Sequence, residues 1–376
     1  MTHSSDLTYG AAKSLGLLLQ SCPFDFDILF DKHILKTCSR EQIVNYAGPS
    51  CHRILLANLV MNSAVLNGYK SFEKSDSIVL ILKKIIRFFL SKILYFHWKN
   101  CFSSLLKTNQ YDYVCFNSLI LYPMLNKSFK SVMIVRELAK KKIKKATIER
   151  INTATGLIFI DDATEKRLIN HDFFNREIPR TVLTNPFDMS SVLKVNKRSV
   201  REKYGISNDC VVFTIAGIIS ENKGVGFIAS VFDKTNREDS VLLIVGKTDT
   251  TYGKQLMSKY HYNPRILFLG EESSMERVYA ITDYILRGDS EFCTGRTMYE
   301  GLFSGCGAII PGDEDDLNRI KMDEDFKQNI IFYKPRDKEI LSRILSLINR
   351  PNIKIKKNSN TEEYARDFVS FVQQLM

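Results

Sequence analysis

The stretch that decides the fold is Asp289–Gly312, which reads DSEFCTGRTMYEGLFSGCGAIIPG. It follows a short apolar run that ends at Arg287. Its middle part is typical of a helix, and it closes with a glycine-rich turn and a second apolar run. The pattern predicts a strand, a polar loop, a helix and a second strand, which is one unit of a doubly wound parallel sheet. Ligands of such sheets bind at the carboxyl ends of the strands, where this loop is expected.

Strand and helix patterns alternate through the whole C-terminal half, and less regularly through the N-terminal half. In the C-terminal half, strands are predicted at Val211–Ala216, Val241–Val245, Arg265–Leu269, Tyr284–Arg287, Ala308–Ile310 and Ile330–Tyr333. Helices are predicted between them at Gly224–Phe232, Met275–Ile281, Thr297–Phe303 and Lys338–Ile348. In the N-terminal half, strands are predicted at Phe26–Phe30, Tyr113–Phe116, Val132–Val135, Leu157–Ile160 and Thr181–Leu183.

The length of 376 residues suits two domains. Asn185–Asp188, followed by the polar and basic stretch Lys194–Lys203, is interpreted as the linker, which gives an N-terminal domain of residues 1–188 and a C-terminal domain of residues 189–360. Residues 361–376 show apolar side chains at three-to-four spacing, which predicts a terminal amphipathic helix.

The predicted helix start after Thr294 is a candidate anion site. Thr294 is expected to cap the helix, and Gly295 lets a ligand approach the backbone amides, as a diphosphate would. Glu300, one turn later, is placed to accept hydrogen bonds from ribose hydroxyls, and Lys223 follows the first strand of the same domain. Simple capping and solvated charge remain the alternative interpretation.

These strand ends, in this order, resemble the donor-binding domain of the GT-B glycosyltransferases, especially glycosyltransferase family 4. The matching features are Gly217 after the first strand, a strand ending in Gly246, a strand ending in Gly270, and two glutamates before a glycine-rich turn. The resemblance covers about residues 205–350. It implies an α/β fold of two Rossmann-like domains facing across a cleft, with the C-terminal helix crossing back to the N-terminal domain.

The resemblance also implies roles for individual residues. Lys223 would neutralise the donor diphosphate, Glu300 would hold the ribose, and Glu291 would face the donor sugar. It implies a retaining reaction without metal or cofactor. The implied donor-binding set is Gly10, Ala11, Gly217, Lys223, Thr294, Gly295, Arg296, Thr297 and Glu300, and the implied catalytic set is Arg136, Glu137 and Glu291.

The sequence departs from the family pattern at two places in this domain. Ile218 stands where the family has an arginine after the first glycine, and Arg287 and Arg296 are both candidates to replace that charge. Glu291 and Glu300 are nine residues apart where the family has eight, so the loop carries a one-residue insertion.

The N-terminal half matches the family in pieces. Asp6–Leu15 resembles the loop and helix after the first strand, where Gly10 and Ala11 would approach the donor phosphate. Only five residues precede this loop, so the first strand is expected to lie upstream of Met1. Arg136 and Glu137 follow a strand and resemble the family's cleft loop, in which an arginine stabilises departing phosphate and a glutamate positions the acceptor hydroxyl. A surface ion pair is the alternative, and Asn117 is a further cleft candidate.

Positive charge is concentrated in one part of the chain. The net charge is +11, and residues 51–150 hold 18 Lys and Arg against 5 Asp and Glu. Two basic segments, residues 78–99 and 140–145, predict attraction to an anionic membrane surface or a lipid-linked phosphate. The alternative for residues 78–99 is a helix packed on its own sheet. No uncharged run there approaches the ~20 residues that span a bilayer.

The sequence therefore predicts an enzyme that moves a sugar from a nucleoside-diphosphate sugar to a saccharide acceptor, expected to be lipid-linked, in surface polysaccharide synthesis. The eight cysteines are scattered without a metal-binding pattern, and the expected location is the cytoplasm, peripheral on the inner face of the membrane. Two alternatives stay open. One is a GT-B epimerase or hydrolase of the nucleotide sugar; the other is a basic nucleic-acid-binding protein, although the sequence lacks aromatic-basic RNA signatures and nucleic acid is not the expected partner.

Overall fold

The computed structural model describes residues 7, 10–57, 100, 102–106, 111–140, 142–272, 274–353 and 357–376. The chain divides into two compact units: the N-terminal unit of residues 1–185 with 361–376, and the C-terminal unit of residues 186–360. The strand expected upstream of Met1 and the basic segment 78–99 lie outside the described residues.

The C-terminal unit is built on a six-stranded, fully parallel sheet. Its strands are β7 (Val211–Ala216), β8 (Ser240–Val245), β9 (Ile266–Gly270), β10 (Tyr284–Leu286), β11 (Gly307–Pro311) and β12 (Ile330–Tyr333). They lie in the order β12-β11-β10-β7-β8-β9. Because apolar side chains are buried on both faces of the sheet, β8 and β11 read as continuous apolar runs.

Helices cover both faces of this sheet. They are α5 (Lys197–Lys203), α6 (Val225–Asp233), α7 (Thr251–Tyr260), α8 (Met275–Ile281), α9 (Arg296–Phe303), α10 (Glu324–Lys327) and α11 (Lys338–Leu347). One core lies between the sheet and α6, α7 and α11, a second includes side chains of α8 and α9, and a third includes further side chains of α8.

The interpretation of Lys194–Lys203 as linker is wrong. Lys197–Lys203 forms α5 inside the C-terminal unit, and Arg201 on this helix is buried and donates to the Asp283 carboxylate at 3.3 Å. The stretch that enters this unit pairs with the stretch that leaves it, because Met189 N–H donates to Asn358 O at 2.8 Å and Asn360 N–H donates to Phe187 O at 3.1 Å.

The N-terminal unit contains two parallel sheets. β1 (Phe26–Asp31) pairs with β2 (Cys51–Ala57), and β3 (Val114–Phe116), β4 (Ser131–Val135), β5 (Gly156–Phe159) and β6 (Arg180–Val182) form the second sheet in that order. Its described helices are α1 (Gly10–Ser21), α2 (Arg40–Ala47), α3 (Lys145–Ile151), α4 (Asp162–Ile169) and α12 (Thr361–Gln374).

The last helix, α12, packs on the N-terminal unit. Its apolar face shares a core with Leu18 of α1, Ile134 of β4 and Ile158 of β5. Gly156 makes this approach possible, because a Cβ there would lie 2.6 Å from Leu375 Cδ1. The predicted fold class, two Rossmann-like domains with a C-terminal helix that returns to the first, is therefore confirmed.

Candidate functional site

A pocket lies in the C-terminal unit at the carboxyl ends of β7 and β10. These neighbouring strands mark the point where the chain order of the sheet reverses, since β8 follows β7 outward on one side and β11 follows β10 on the other. Crevices at such switch points are the usual ligand sites of doubly wound sheets. The lining residues include Gly217, Ile218, Lys223, Arg287, Asp289 and Thr297.

Two pairs of glycines bring the loops around this pocket into backbone contact. A Cβ on Gly224 would lie 1.7 Å from Gly288 O, and a Cβ on Gly246 would lie 2.0 Å from Gly217 O. Gly224 also has φ +63°, the left-handed conformation that glycine adopts without strain. The loop that carries Lys223 is therefore held directly against the end of β10.

One carboxylate joins the two cations of the pocket. Asp289 Oδ2 accepts from Arg287 Nε at 3.0 Å and from Nη2 at 2.7 Å, while Oδ1 lies 3.4 Å from Lys223 Nζ. Arg287 and Asp289 are buried, whereas the Lys223 side chain is 45% exposed. The cluster carries one net positive charge at the mouth of the pocket.

Helix α9 begins beside this cluster. Its N-cap is Gly295, with φ +31° and no side-chain cap, so the prediction that Thr294 caps the helix is wrong; Thr294 is buried. The start of α9, where the helix dipole is positive, therefore carries no side-chain cap and suits an anion. Thr297 lines the pocket, and Arg296 does not.

Glu300 lies one turn into α9 and is buried. Its Oε2 accepts from Tyr279 Oη at 2.7 Å and its Oε1 accepts from Arg296 Nε at 2.8 Å. Burial and then the Glu300 carboxylate raise the pKa of Tyr279 well above its usual value, so the phenol stays a donor. The Arg296 guanidinium also stacks on Phe187, with 4.7 Å to the ring centroid.

Glu291 is exposed. It makes no hydrogen bond or ion pair with the part of the chain that the structure describes, and it does not line the pocket. Ile218 does line the pocket, and it is 75% exposed, an unusual position for a large apolar side chain.

In the N-terminal unit, three candidates meet at the ends of β3 and β4. Asn117 Nδ2 donates to Ala11 O at 3.1 Å, and Asn117 Oδ1 accepts from Arg136 Nε at 2.9 Å. Arg136 also donates to Asn185, the last residue before the chain leaves this unit. Gly10 is the exposed first residue of α1.

Glu137 faces the turn after β3. Its Oε1 accepts from Ser118 Oγ, and its Oε2 accepts from Leu119 N–H at 2.9 Å. Both carboxylate oxygens therefore hold the start of the 3₁₀ turn Leu119–Met124.

Sequence reasoning missed Tyr279 and the joining role of Asp289. Asp289 carried a signal, since a carboxylate two residues after Arg287 in a loop at a strand end suggests a local ion pair. Tyr279 carried none, because its contact with Glu300 depends on how α8 and α9 pack.

Two further observations concern metals and membranes. Across residues 7–353, with the gaps named above, and 357–376, no group of three His, Cys, Asp or Glu side chains is arranged to hold a metal ion. Within the same residues, no helix has the length and apolar character needed to cross a membrane.

No protein-family model matches the chain, and no curated protein matches it. Solved structures do. Anabaena Alr3699/HepE in complex with UDP-glucose matches with a TM-score of 0.64 at 16% identity, over 100% of this chain and 96% of that chain. A glycosyltransferase from Rickettsia africae matches with a TM-score of 0.62 at 13% identity, over 98% and 96%.

Sucrose-phosphate synthase from Thermosynechococcus elongatus also matches, with a TM-score of 0.59 at 13% identity over 96% of this chain and 90% of that chain. At these identities the likeness establishes the fold. The chain has the two-domain GT-B fold, and the predicted resemblance to GT-B glycosyltransferases is confirmed.

Proposed function

We propose that the protein is a retaining glycosyltransferase that moves a sugar from a nucleoside-diphosphate sugar to a saccharide acceptor. The observation that carries this proposal is the pocket at the β7/β10 switch point, where Lys223, Arg287 and the uncapped start of α9 converge. Cations and the positive end of a helix together suit a diphosphate. One fold relative, Alr3699/HepE, solved both with UDP and with UDP-glucose, makes a uridine-diphosphate sugar the first donor to test.

In the proposed reaction, the bond between the anomeric carbon and the diphosphate oxygen breaks, and its electron pair stays on the diphosphate. The acceptor hydroxyl oxygen bonds to the same face of that carbon and gives its proton to the departing phosphate oxygen. Negative charge grows on the diphosphate during this step, so preorganised donors around it lower the barrier. Lys223 and the amides of Gly295, Arg296 and Thr297 are assigned that role, and no metal is required.

The remaining donor contacts are assigned by position. Glu300 is assigned to bind the ribose hydroxyls. Tyr279 donates to one oxygen of its carboxylate and Arg296 to the other, so the hydroxyls must share the second oxygen with Arg296 or displace Arg296 from it. Gly217 allows close approach of the ligand to the end of β7. Glu291 is assigned to the donor sugar because it is exposed and unpaired within the described residues.

The N-terminal unit is assigned to the acceptor. Arg136 and Glu137 are assigned to position the loops that they contact in this unit, and Gly10 and Ala11 form the start of the neighbouring helix, α1. The acceptor is proposed to be a lipid-linked saccharide used for surface polysaccharide, with the protein on the cytoplasmic face of the membrane. The support is the basic segment 140–145, whose described lysines are exposed.

Isothermal calorimetry with nucleoside, nucleoside diphosphate and donor tests the donor site. Glu300→Gln should weaken all three ligands about 10–100-fold, since hydrogen bonds to a charged group contribute about 1.5–3 kcal/mol. Lys223→Ala should weaken the diphosphate much more than the nucleoside and should lower turnover. Lys234→Ala is the matched control, because Lys234 is exposed at the opposite end of α6.

Equal loss of every ligand in Lys223→Ala, or no loss in Glu300→Gln, would mean that the donor site is misplaced. Product analysis then separates transfer from hydrolysis or epimerisation: a transferase releases nucleoside diphosphate only as fast as a glycosylated acceptor forms. Free sugar or an isomerised nucleotide sugar without acceptor would favour the alternative enzyme.

Vesicle sedimentation tests the membrane assignment. Replacing Lys140, Lys142 and Lys144 with serine should reduce binding to anionic vesicles at low salt by about 1 kcal/mol per charge. Binding that does not respond to these changes, or no binding at low salt, would contradict the assignment. The control variant has serine in place of three exposed lysines of the C-terminal unit: Lys234, Lys254 and Lys338.

A further inference from the structure

The pocket has an apolar side chain where the family resemblance places a cation. Ile218 directly follows Gly217 at the end of β7, lines the pocket, and is 75% exposed. An arginine at this position would point a charge at the same space. A diphosphate would therefore meet Lys223 without that second cation, unless another part of the chain supplies one.

Arg287 reaches the pocket from the neighbouring strand. It follows β10 directly, and its backbone is fixed because Tyr333 Oη donates to its carbonyl oxygen at 2.6 Å. Nε and Nη2 both donate to Asp289, and Nη2 lies 3.3 Å from Cys293 Sγ. These contacts hold the guanidinium plane in one orientation.

The third nitrogen of that guanidinium, Nη1, lies against the start of α9. A Cβ on Gly295 would be 1.9 Å from Nη1, so the guanidinium occupies the place where any other residue would put its side chain. Nη1 makes no hydrogen bond with any residue that the structure describes. It thus has donors to offer beside the start of α9.

Arg296, the other candidate, is engaged elsewhere. Its Nε donates to Glu300, its Nη2 lies 3.4 Å from Pro186 O, and its guanidinium covers the Phe187 ring. It does not line the pocket.

From this arrangement we infer that Arg287, positioned by Asp289, is the second diphosphate-binding cation of this chain and replaces the charge that is missing at Ile218. The inference rests on the proposed donor site and goes beyond it by naming a residue pair that the family pattern does not contain. Asp289 is the positioning residue, because it fixes Arg287 with one oxygen and approaches Lys223 with the other.

The test is calorimetry with uridine and UDP on the full chain. Arg287→Met should weaken UDP about 10–100-fold, as expected for loss of a charge-assisted contact, and leave uridine within about two-fold. Adding Ile218→Arg to Arg287→Met should recover most of the UDP affinity, since it restores a cation at the same space. Arg198→Met, at an exposed position on α5, is the control and should change neither ligand.

Unchanged UDP affinity in Arg287→Met, equal loss of uridine and UDP, or no recovery with Ile218→Arg would each overturn the inference. If Arg287→Met does not fold, Arg287→Met with Asp289→Asn removes the unpaired carboxylate as well and carries the same expectations. The proposed function fails separately: wild-type protein would then bind no nucleoside diphosphate, or Lys223→Ala would not weaken the binding.

Discussion

The contact between Gly224 and Gly288 gives a quantitative prediction about the loop that carries Lys223. Gly224 has φ +63°, and a Cβ there would lie 1.7 Å from Gly288 O. Gly205 offers a matched control in the same unit, because it has φ +66° and a Cβ there would meet nothing within 4 Å. The two positions share the backbone conformation and differ in the space available.

Alanine at either glycine adds the cost of a left-handed conformation, about 1–2 kcal/mol. At Gly224 the new methyl group must also push the end of β10 away, and overpacking of this kind costs about 1–3 kcal/mol more. Gly205→Ala should therefore lower the free energy of unfolding of the C-terminal unit by about 1–2 kcal/mol, and Gly224→Ala by about 2–5 kcal/mol.

The assay must separate the two units, because a two-unit chain need not unfold in one transition. Hydrogen exchange of peptides from β7 and β10, measured by mass spectrometry in increasing urea, reports the C-terminal unit by itself. Gly224→Ala should also weaken UDP binding, since the displaced strand end carries Arg287, whereas Gly205→Ala should not. Equal destabilisation by the two variants would refute the argument from close approach.

Three further predictions concern side chains. Tyr279→Phe should cost about 1–3 kcal/mol, because the buried Glu300 carboxylate loses a donor; since the phenol stays protonated, the loss should not vary between neutral pH and the usual tyrosine pKa, and a strongly pH-dependent loss in that range in urea unfolding would contradict this. Phe187→Ala should cost about 3–5 kcal/mol in the same assay, because this fully buried ring stacks on two others, and a loss below 1 kcal/mol, which is about what surface changes give, would contradict the packing. Ser39→Ala should cost about 1 kcal/mol by removing the capping box of α2, whereas Ser39→Asp should cost almost nothing; equal losses would contradict the cap.

Strand positions in the C-terminal unit could be predicted from sequence because both faces of its sheet are covered. β7 and β12 have the predicted bounds, Val211–Ala216 and Ile330–Tyr333, since each is a mostly apolar run, ended by Gly217 in the first case and by Lys334 in the second. Two elements gave no such signal. β2 begins with Cys51, His52 and Arg53 and, among the described strands, pairs with β1 alone; α7 buries only Gly253, Leu256 and Tyr260.

The site could be predicted as a set of backbone positions and less well as a set of contacts. The sequence places Gly217, Lys223 and Gly295 at one edge of the sheet because carboxyl ends of parallel strands meet there. It cannot show that Asp289 contacts Lys223, which is 66 positions away along the chain, or that Glu300 is buried under Tyr279. Those contacts depend on side-chain orientation, which the strand and helix pattern does not determine.

The paired charges of the C-terminal unit explain how it can present cations without a ligand. Arg287 and Lys223 share Asp289, and Arg296 is paired with Glu300, so each cation has a carboxylate partner before any anion arrives. Burying an unpaired guanidinium is costly, whereas a paired one is held in a fixed orientation. In the proposed reaction, an arriving diphosphate would therefore meet donors that are already oriented. Its negative charge would be attracted by the one net positive charge of Arg287, Lys223 and Asp289 and by the start of α9. The attraction between the diphosphate and these charges would be weaker than two unpaired cations would give. However, the donors would need to reorganise little as charge grows on the leaving group of the proposed reaction, and low reorganisation lowers the reaction barrier.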